Sequence, residues 1–595
     1  MLNTVRSVAR PRCRLQRAFL AGFGLCLCLL LSVAAAADKP PSELPAPALI
    51  ELTPMERAGH PEGNALLRLG FEQRELLPDS IELDVDAQRF VLKRDERDPL
   101  AFVGMIKLDF DRFADELERR EALIRESGER GAPLFEGREM LGEKEFQRLD
   151  PRQLKLARFE SLPLRIPRDV LLMPLSFVDP ARELMITSTA VVNDPTRTFD
   201  LCGNSGNPNG AWTFKTLMSN MANTPLTGVD PADFVERWLR TWQVNHTLNS
   251  FAVPARGNIG PLVLNSWPRV NGKLDLNRSP FRLLAIVNRV DLRGNSVYGA
   301  SSAGEGRFVF GVVNRSVNGG CSTTPFTVIL EYGVPIRGCS AVRSYGQQWA
   351  DLGGLVLGSA AYNAALQSIT DQFTSANAAP NKPNGSAINQ VRSNENALNP
   401  LWELREFVLQ QGSPLLRIVS TQQTPHHTLN NGGLLANYIT TNAAAIVADA
   451  HTVPPLWLGQ PFLTGSNFNF SVANGAVWNA PGVANQPRHK FSLATCNACH
   501  GGEARDSSVP ADLPFVHIGV RQAAATSALS RFLVGTGSLS APSTFNKPDP
   551  INLAPVRQFG DLLRRQQDLA NLTGMDCSSG GFLQDLRFEP LRMVH

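Results

Sequence analysis

The residues best suited to chemistry lie near the C-terminus, in the run Arg488-His-Lys-Phe-Ser-Leu-Ala-Thr-Cys496-Asn-Ala-Cys499-His500-Gly-Gly-Glu503. Cys496, Cys499 and His500 form Cys-x-x-Cys-His, the attachment sequence of c-type haem. The spacing suits that chemistry. Each thiol adds across one vinyl group of the macrocycle, and the adjacent imidazole reaches the iron as proximal ligand. Gly501 and Gly502 leave room for the backbone to pass close to the ring. With nine Cys and nine His in the chain, the motif is too rare to arise by chance. Two other chemistries compete for the same residues. A redox disulfide is one, but no βαβ pattern surrounds the motif. Half of a zinc site completed by His500 and His517 is the other; an exported chain with an imidazole directly after the second thiol favours haem.

The sixth ligand of such an iron decides its reactivity. A second His or a Met gives an electron-transfer haem, and an open face admits peroxide or oxygen. His517, in Pro514-Phe-Val-His-Ile, is the favoured ligand. A buried His bonding a carbonyl is the structural alternative. Met575, in Thr573-Gly-Met-Asp-Cys, is the second candidate. Asp506-Ser-Ser and Pro510 suit turns that would carry the chain back over the opposite haem face. Arg488, His489 and Lys490 are expected to offset the haem propionates. His426-His427, after Pro425, reads as an exposed loop pair. Asn288, Arg289, Asp291 and Arg293, with Glu305 and Arg307, read as a buried ion-pair network that fixes loops, with an active-site lining as the alternative. No phosphate-cradling loop, His-Glu-x-x-His helix or Gly-x-Ser-x-Gly elbow occurs, so hydrolase and nucleotide chemistry have no motif to rest on.

Chemistry of this kind needs an exported chain, and the N-terminus supplies the signal. Arg6, Arg10, Arg12, Arg14 and Arg17 precede an apolar run from Ala18 that ends in Ala34-Ala-Ala-Ala. That order is a secretory signal peptide, with cleavage expected after Ala37 and a membrane anchor as the rival reading. The mature protein is expected to have no membrane span and to be periplasmic or extracellular. Net charge is +3 on 58 basic and 55 acidic residues. The basic residues are scattered, which argues against nucleic-acid partners. Export also permits disulfides. Phe326-Thr-Val-Ile-Leu-Glu-Tyr-Gly reads as a strand and turn, so Cys321–Cys339 is expected to close a hairpin, leaving Cys202–Cys577 by elimination.

The elements that must position the motif follow from patterning. A chain of 595 residues, 43% hydrophobic, with 47 Gly and 42 Pro, reads as α+β and multidomain. The expected division is a signal peptide (1–37), a flexible Pro-rich arm (38–63), a small β-rich domain (64–168), a large central α+β domain (169–454) and a mainly helical, loop-rich haem region (455–595). Period-two patterning marks strands at Ile81–Asp86, Phe90–Leu92, Ala101–Phe110 and Leu401–Leu409. Buried strands are expected at Leu283–Val287, Arg307–Val313 and Phe326–Leu330. Helices are expected at 112–127, Asp230–Trp242, Ala360–Thr374, Leu434–Ala450, Ala524–Leu533 and Gln558–Leu569.

Phe491-Ser-Leu-Ala-Thr-Cys-Asn-Ala-Cys-His, then Phe515-Val-His-Ile and Leu529-Ser-Arg-Phe-Leu, resemble the C-terminal part of a group of large exported bacterial proteins with one Cys-Asn-x-Cys-His motif. Upstream, Val192-Asn-Asp-Pro-Thr-Arg-Thr-Phe-Asp-Leu-Cys, Leu284-Ala-Ile-Val-Asn-Arg-Val-Asp-Leu-Arg and Gly304-Glu-Gly-Arg-Phe-Val-Phe-Gly extend the resemblance over roughly 170–540. The group is similar to cytochromes c only at the motif. The resemblance therefore implies export and one covalent haem c, and it supplies no reaction. Three functions remain open: electron transfer with a redox partner protein or a small-molecule donor or acceptor; a haem-dependent oxidoreductase acting on peroxide, oxygen or an organic substrate; and a binding protein with a stabilising haem. The long upstream region exceeds what a simple carrier needs.

Overall fold

The computed structural model describes residues 178–293, 303–316, 318–447, 449, 451–470, 476–510 and 512–574, together with seven earlier strands. It contains both helices and strands, an α+β chain. By contacts the chain divides into two compact units, residues 1–122 with 131–173, and residues 174–595 with 123–130. The first unit holds an antiparallel sheet of β1 (Val33–Ala35), β2 (Leu49–Pro54), β3 (Glu62–Gly70), β4 (Ser80–Val85), β5 (Gln88–Asp95), β6 (Asp98–Asp109) and β7 (Leu164–Ile166). Their order is β1-β4-β5-β6-β3-β2-β7. The first three of the four alternating runs fall on β4, β5 and β6. β1 lies in the segment read as a signal peptide, and β2 lies in the span read as an arm. β1 is an edge strand, so a sheet without it keeps its other pairings. The helix expected at 112–127 lies outside the described residues. Among the described residues no helix is long and apolar enough to cross a membrane.

The second unit is built on another antiparallel sheet. Its strands are β8 (Met185–Ile186), β9 (Phe281–Arg289), β10 (Glu305–Arg315), β11 (Cys321–Gly333), β12 (Ile388–Glu395), β13 (Glu406–Gln410) and β14 (Ser413–Val419), in the order β14-β13-β12-β11-β10-β9-β8. Directly opposed residues share a face. One face presents the buried row Ile286, Phe308, Leu330, Val391 and Phe407. Helices cover it. Phe214 of α1 (Phe214–Ala222) stacks on Phe281 with centroids 4.3 Å apart. In α2 (Pro231–Arg240), Asp230 caps the N–H groups of Ala232 and Asp233, and Trp238 packs edge-on against Phe407. α3 is Cys339–Asp351, and α4 is Ala360–Thr374, as the spacing predicts. Phe373 of α4 packs against Phe308 and Tyr332. A Cβ on Gly306 would stand 2.1 Å from Phe373 Cζ, so this close approach requires glycine.

Several elements differ from expectation for local reasons. Leu401–Leu409 is not one strand. Glu403–Leu404 pairs with Asn467–Phe468, while β13 pairs with β12. Between them the Arg405 N–H donates to Ser393 Oγ and the Arg405 guanidinium to Glu403. The helix at Leu434–Ala450 breaks into Gly433–Thr441 and Ala443–Val447. Ala524–Leu533 is mostly non-helical. Ile518 bridges Leu529 and the Ser530 N–H donates to His517 O, so only Arg531–Val534 turns helically. The motif region adds α5 (Asn485–Leu493), α6 (Cys496–Cys499) and α7 (Asp561–Gly574). α7 starts three residues later than expected because Val556–Phe559 pairs as a strand with Phe545–Pro548.

The expected disulfides are corrected. Cys202 bonds Cys321, with Cα atoms 5.8 Å apart. The segment after Cys321 is one extended strand, not a hairpin. β11 runs for 13 residues, a span of roughly 40 Å. Cys339 opens α3 beyond its far end and is disulfide-bonded elsewhere. Cys577 and Met575 lie outside the described residues.

Candidate functional site

α6 is a single turn that places Cys496 and Cys499 side by side. The Cys499 N–H donates to Thr495 O at 3.0 Å and the His500 N–H to Cys496 O at 2.9 Å. Both thiols are buried and unbonded. Burial pushes the Cys496 thiol up to about 11 and holds Cys499 well above its ordinary value, so both are neutral at pH 7. The turn is anchored from two sides. Trp478 Nε1 donates to Thr495 Oγ1 at 2.9 Å, and the Cys496 N–H donates to Thr424 Oγ1 at 3.1 Å. A Cβ on Gly501 would stand 2.5 Å from Asn497 O, so the chain leaving His500 passes too close for any side chain.

The charges of α5 fix this turn. Arg488 donates to both oxygens of Glu503 at 2.8 and 2.9 Å and to Asp549 at 2.7 Å. His489 Nδ1 meets Glu503 at 2.5 Å, and Lys490 pairs with Asp449 at 2.7 Å. The three side chains expected near the haem propionates are thus bound to carboxylates of the chain. His489, Glu503 and Asp549 also cluster as metal ligands would, but the Arg488 guanidinium already bonds both carboxylates.

His500 and His517 come together, as the sequence predicts. Their ring centroids are 4.3 Å apart at 44°. His500 Nδ1 donates to Phe515 O at 3.1 Å, which places the lone pair on Nε2. Its ring lies 5.4 Å from Trp402, which stacks in turn on Phe515. His517 Nδ1 meets Ser530 Oγ at 2.8 Å, and its Nε2 lies 3.8 Å from Cys499 Sγ. Burial pulls His500 down to about 4. Burial and the facing His500 ring hold His517 well below its ordinary value. Both imidazoles are therefore neutral, the form that binds a metal. Rings this close leave no room for an ion, so a metal taken between them must part them.

Both imidazoles line a cavity of about 60 Å³, smaller than the roughly 300–1,000 Å³ of cofactor sites, so a cofactor bound there would have to displace side chains. Its floor is the second face of the β8–β14 sheet. Val287, Arg307 and Glu331 form one cross-strand row, and Val309, Ile329 and Arg392 the next. Arg289, Arg565 of α7 and the apolar Met185, Leu404 and Leu533 complete much of the wall. The predicted ion-pair network is present. Arg289 pairs with Asp291 at 2.9 Å, Arg293 with Asp568 at 2.5 Å and Arg307 with Glu305 at 2.7 Å, all buried. Arg289 and Arg307 also face the cavity, so the network and the lining overlap.

The residues present fit a haem better than a zinc ion. Among the described residues, no three ligand atoms of Cys496, Cys499, His500 and His517 converge within 4.8 Å, whereas a tetrahedral zinc site requires four that do. A covalently held haem would not require such convergence, because Cys496 and Cys499 would bond the macrocycle and the imidazoles the iron.

Sequence reasoning missed Trp402, Glu331, Arg392 and Arg565. The available signal was β12, where Gln390, Arg392 and Asn394 alternate with apolar and small residues. Its polarity resembles a loop, yet it is nearly all buried. His426 and His427 are half-buried, not exposed. His426 stacks on Phe251 at 3.8 Å and His427 packs on Phe468.

A buried histidine beside the motif gives a pH prediction. His451 is 4% exposed, and neither ring nitrogen has a hydrogen-bond partner among the described residues. Burial pulls it down to about 4 from 6.5. The unfolded chain therefore takes up a proton that the folded chain refuses, and stability falls as pH drops below 6.5. Between pH 7 and pH 5 this residue is expected to cost about 2 kcal/mol. Urea unfolding of wild type and His451→Leu at both pH values checks it. Equal pH losses would contradict it.

Comparison with protein-family models, curated proteins and solved structures finds no match to this chain.

Proposed function

We propose that this is an exported, monohaem, c-type cytochrome-like protein whose haem transfers electrons. Cys496 and Cys499 would hold haem c covalently, and His500 and His517 would ligate its iron. The observation that carries the reading is two imidazoles, each anchored at Nδ1, facing one another at one cavity, with the buried, unbonded thiols of Cys496 and Cys499 on the turn that leads into His500. The haem would supply a one-electron couple. The chain supplies the rest: the Phe515 carbonyl and the Ser530 hydroxyl orient the rings, and a hydrogen-bonded Nδ1–H makes Nε2 a better donor. Two histidine ligands leave no open position and give a lower potential than a His/Met pair.

In this reading the β-rich N-terminal domain, the central α+β domain and the C-terminal haem region divide the labour. The upstream surface receives a redox partner protein or a small-molecule donor or acceptor. Export to the periplasm or beyond belongs to the same proposal. The charged floor of the cavity favours a second reading, a haem-dependent oxidoreductase that binds an organic substrate there. A stabilising haem is the third. A redox titration followed by visible spectroscopy separates them. Electron transfer predicts a reversible one-electron, low-spin transition. A high-spin haem consumed by peroxide would favour the oxidoreductase, and no reversible response the stabilising role.

A further inference from the structure

We propose that the charged face of the central sheet is the seat of the haem propionates, an inference that rests on haem occupying the cavity. Four guanidiniums line the cavity, those of Arg289, Arg307, Arg392 and Arg565, against one carboxylate, Glu331. Each guanidinium has an acidic partner: Asp291 at 2.9 Å, Glu305 at 2.7 Å, Glu406 at 3.1 Å and Asp561 at 2.5 Å. None of those four acids lines the cavity. The network is balanced from behind, while the surface it turns inward is cationic. Glu331 sits between two of the cations, 3.5 Å from Arg307 and 3.3 Å from Arg392.

Stability alone does not account for this arrangement. Well-packed apolar residues serve a buried sheet face at least as well as paired charges. Here each row is apolar at one end and charged at the other, Val287 leading to Arg307 and Glu331, and Val309 and Ile329 leading to Arg392. That pattern matches an apolar ring carrying two carboxylates. The planar fork of arginine suits a carboxylate better than lysine does. Arg488, His489 and Lys490, nearer the motif in sequence, are not candidates, because they do not line the cavity.

The test uses the full mature chain with Cys496→Ser and Cys499→Ser, so that binding is reversible and haem alone varies. The probes are haemin and haemin dimethyl ester, which has the same ring and iron with neutral propionates. Haemin is expected to bind roughly 10- to 100-fold more tightly than the ester. Adding Glu331→Gln removes the one carboxylate that faces the cavity, and it should widen that ratio further. Equal affinities, or a ratio that Glu331→Gln leaves unchanged, would overturn the propionate assignment and leave the haem reading standing. If neither probe binds, both fail together.

Discussion

Replacing His517 by alanine is expected to convert a low-spin, six-coordinate haem into a high-spin one and to open the iron to carbon monoxide or peroxide. The wild-type geometry carries this expectation. His517 is neutral, lies against His500 and keeps Nδ1 on Ser530, so Nε2 is the nitrogen on the side of the motif. Alanine supplies no donor atom. The nearest sulfur, Cys499 Sγ, is committed to a thioether in the proposed site. The effect is a change of spin state, read directly in the visible and electron paramagnetic resonance spectra. A variant that stays low spin with unchanged bands would remove His517 from the iron, and Met575 would be tested next. A wild type already high spin and reactive with peroxide would favour the oxidoreductase.

The second large effect concerns stability. Cys202 and Cys321 are 119 residues apart in sequence. Closing so long a loop restricts the unfolded chain by about 5 kcal/mol in the chain-entropy model. Whole domains are commonly stable by only about 5–15 kcal/mol. Cys202→Ala with Cys321→Ala should therefore lose a large share of the folding free energy, measured by urea unfolding without reductant. The haem spectrum of the folded variant should be unchanged, because the cavity-lining residues of β11, Thr327 to Glu331, begin six residues beyond Cys321. Wild-type peptides showing Cys202 or Cys321 as a free thiol would contradict the pairing.

What the sequence revealed depended on how local the signal was. α4 was legible residue for residue, because its periodicity is contained in one short window. β9 to β11 were legible as apolar runs. The pairing of Cys321 was not, because an extended β11 and a hairpin share the same residues and only the partner strands distinguish them. The site divided in the same way. Cys496, Cys499, His500 and His517 could be named from spacing and local context. Arg392 and Glu331 could not, since they reach the cavity only through the register of β11 against β12. The carboxylate partners of Arg488 and Lys490 were not legible for the same non-local reason: Asp549 and Asp449 are 61 and 41 residues away.

The most direct measurement is the mass of the intact, denatured chain after production with a working cytochrome c maturation system. The account predicts the mature chain plus one haem, with the haem absent after Cys496→Ser and Cys499→Ser. A wild-type chain that denatures to its bare mass, or that carries zinc and no haem, would contradict it.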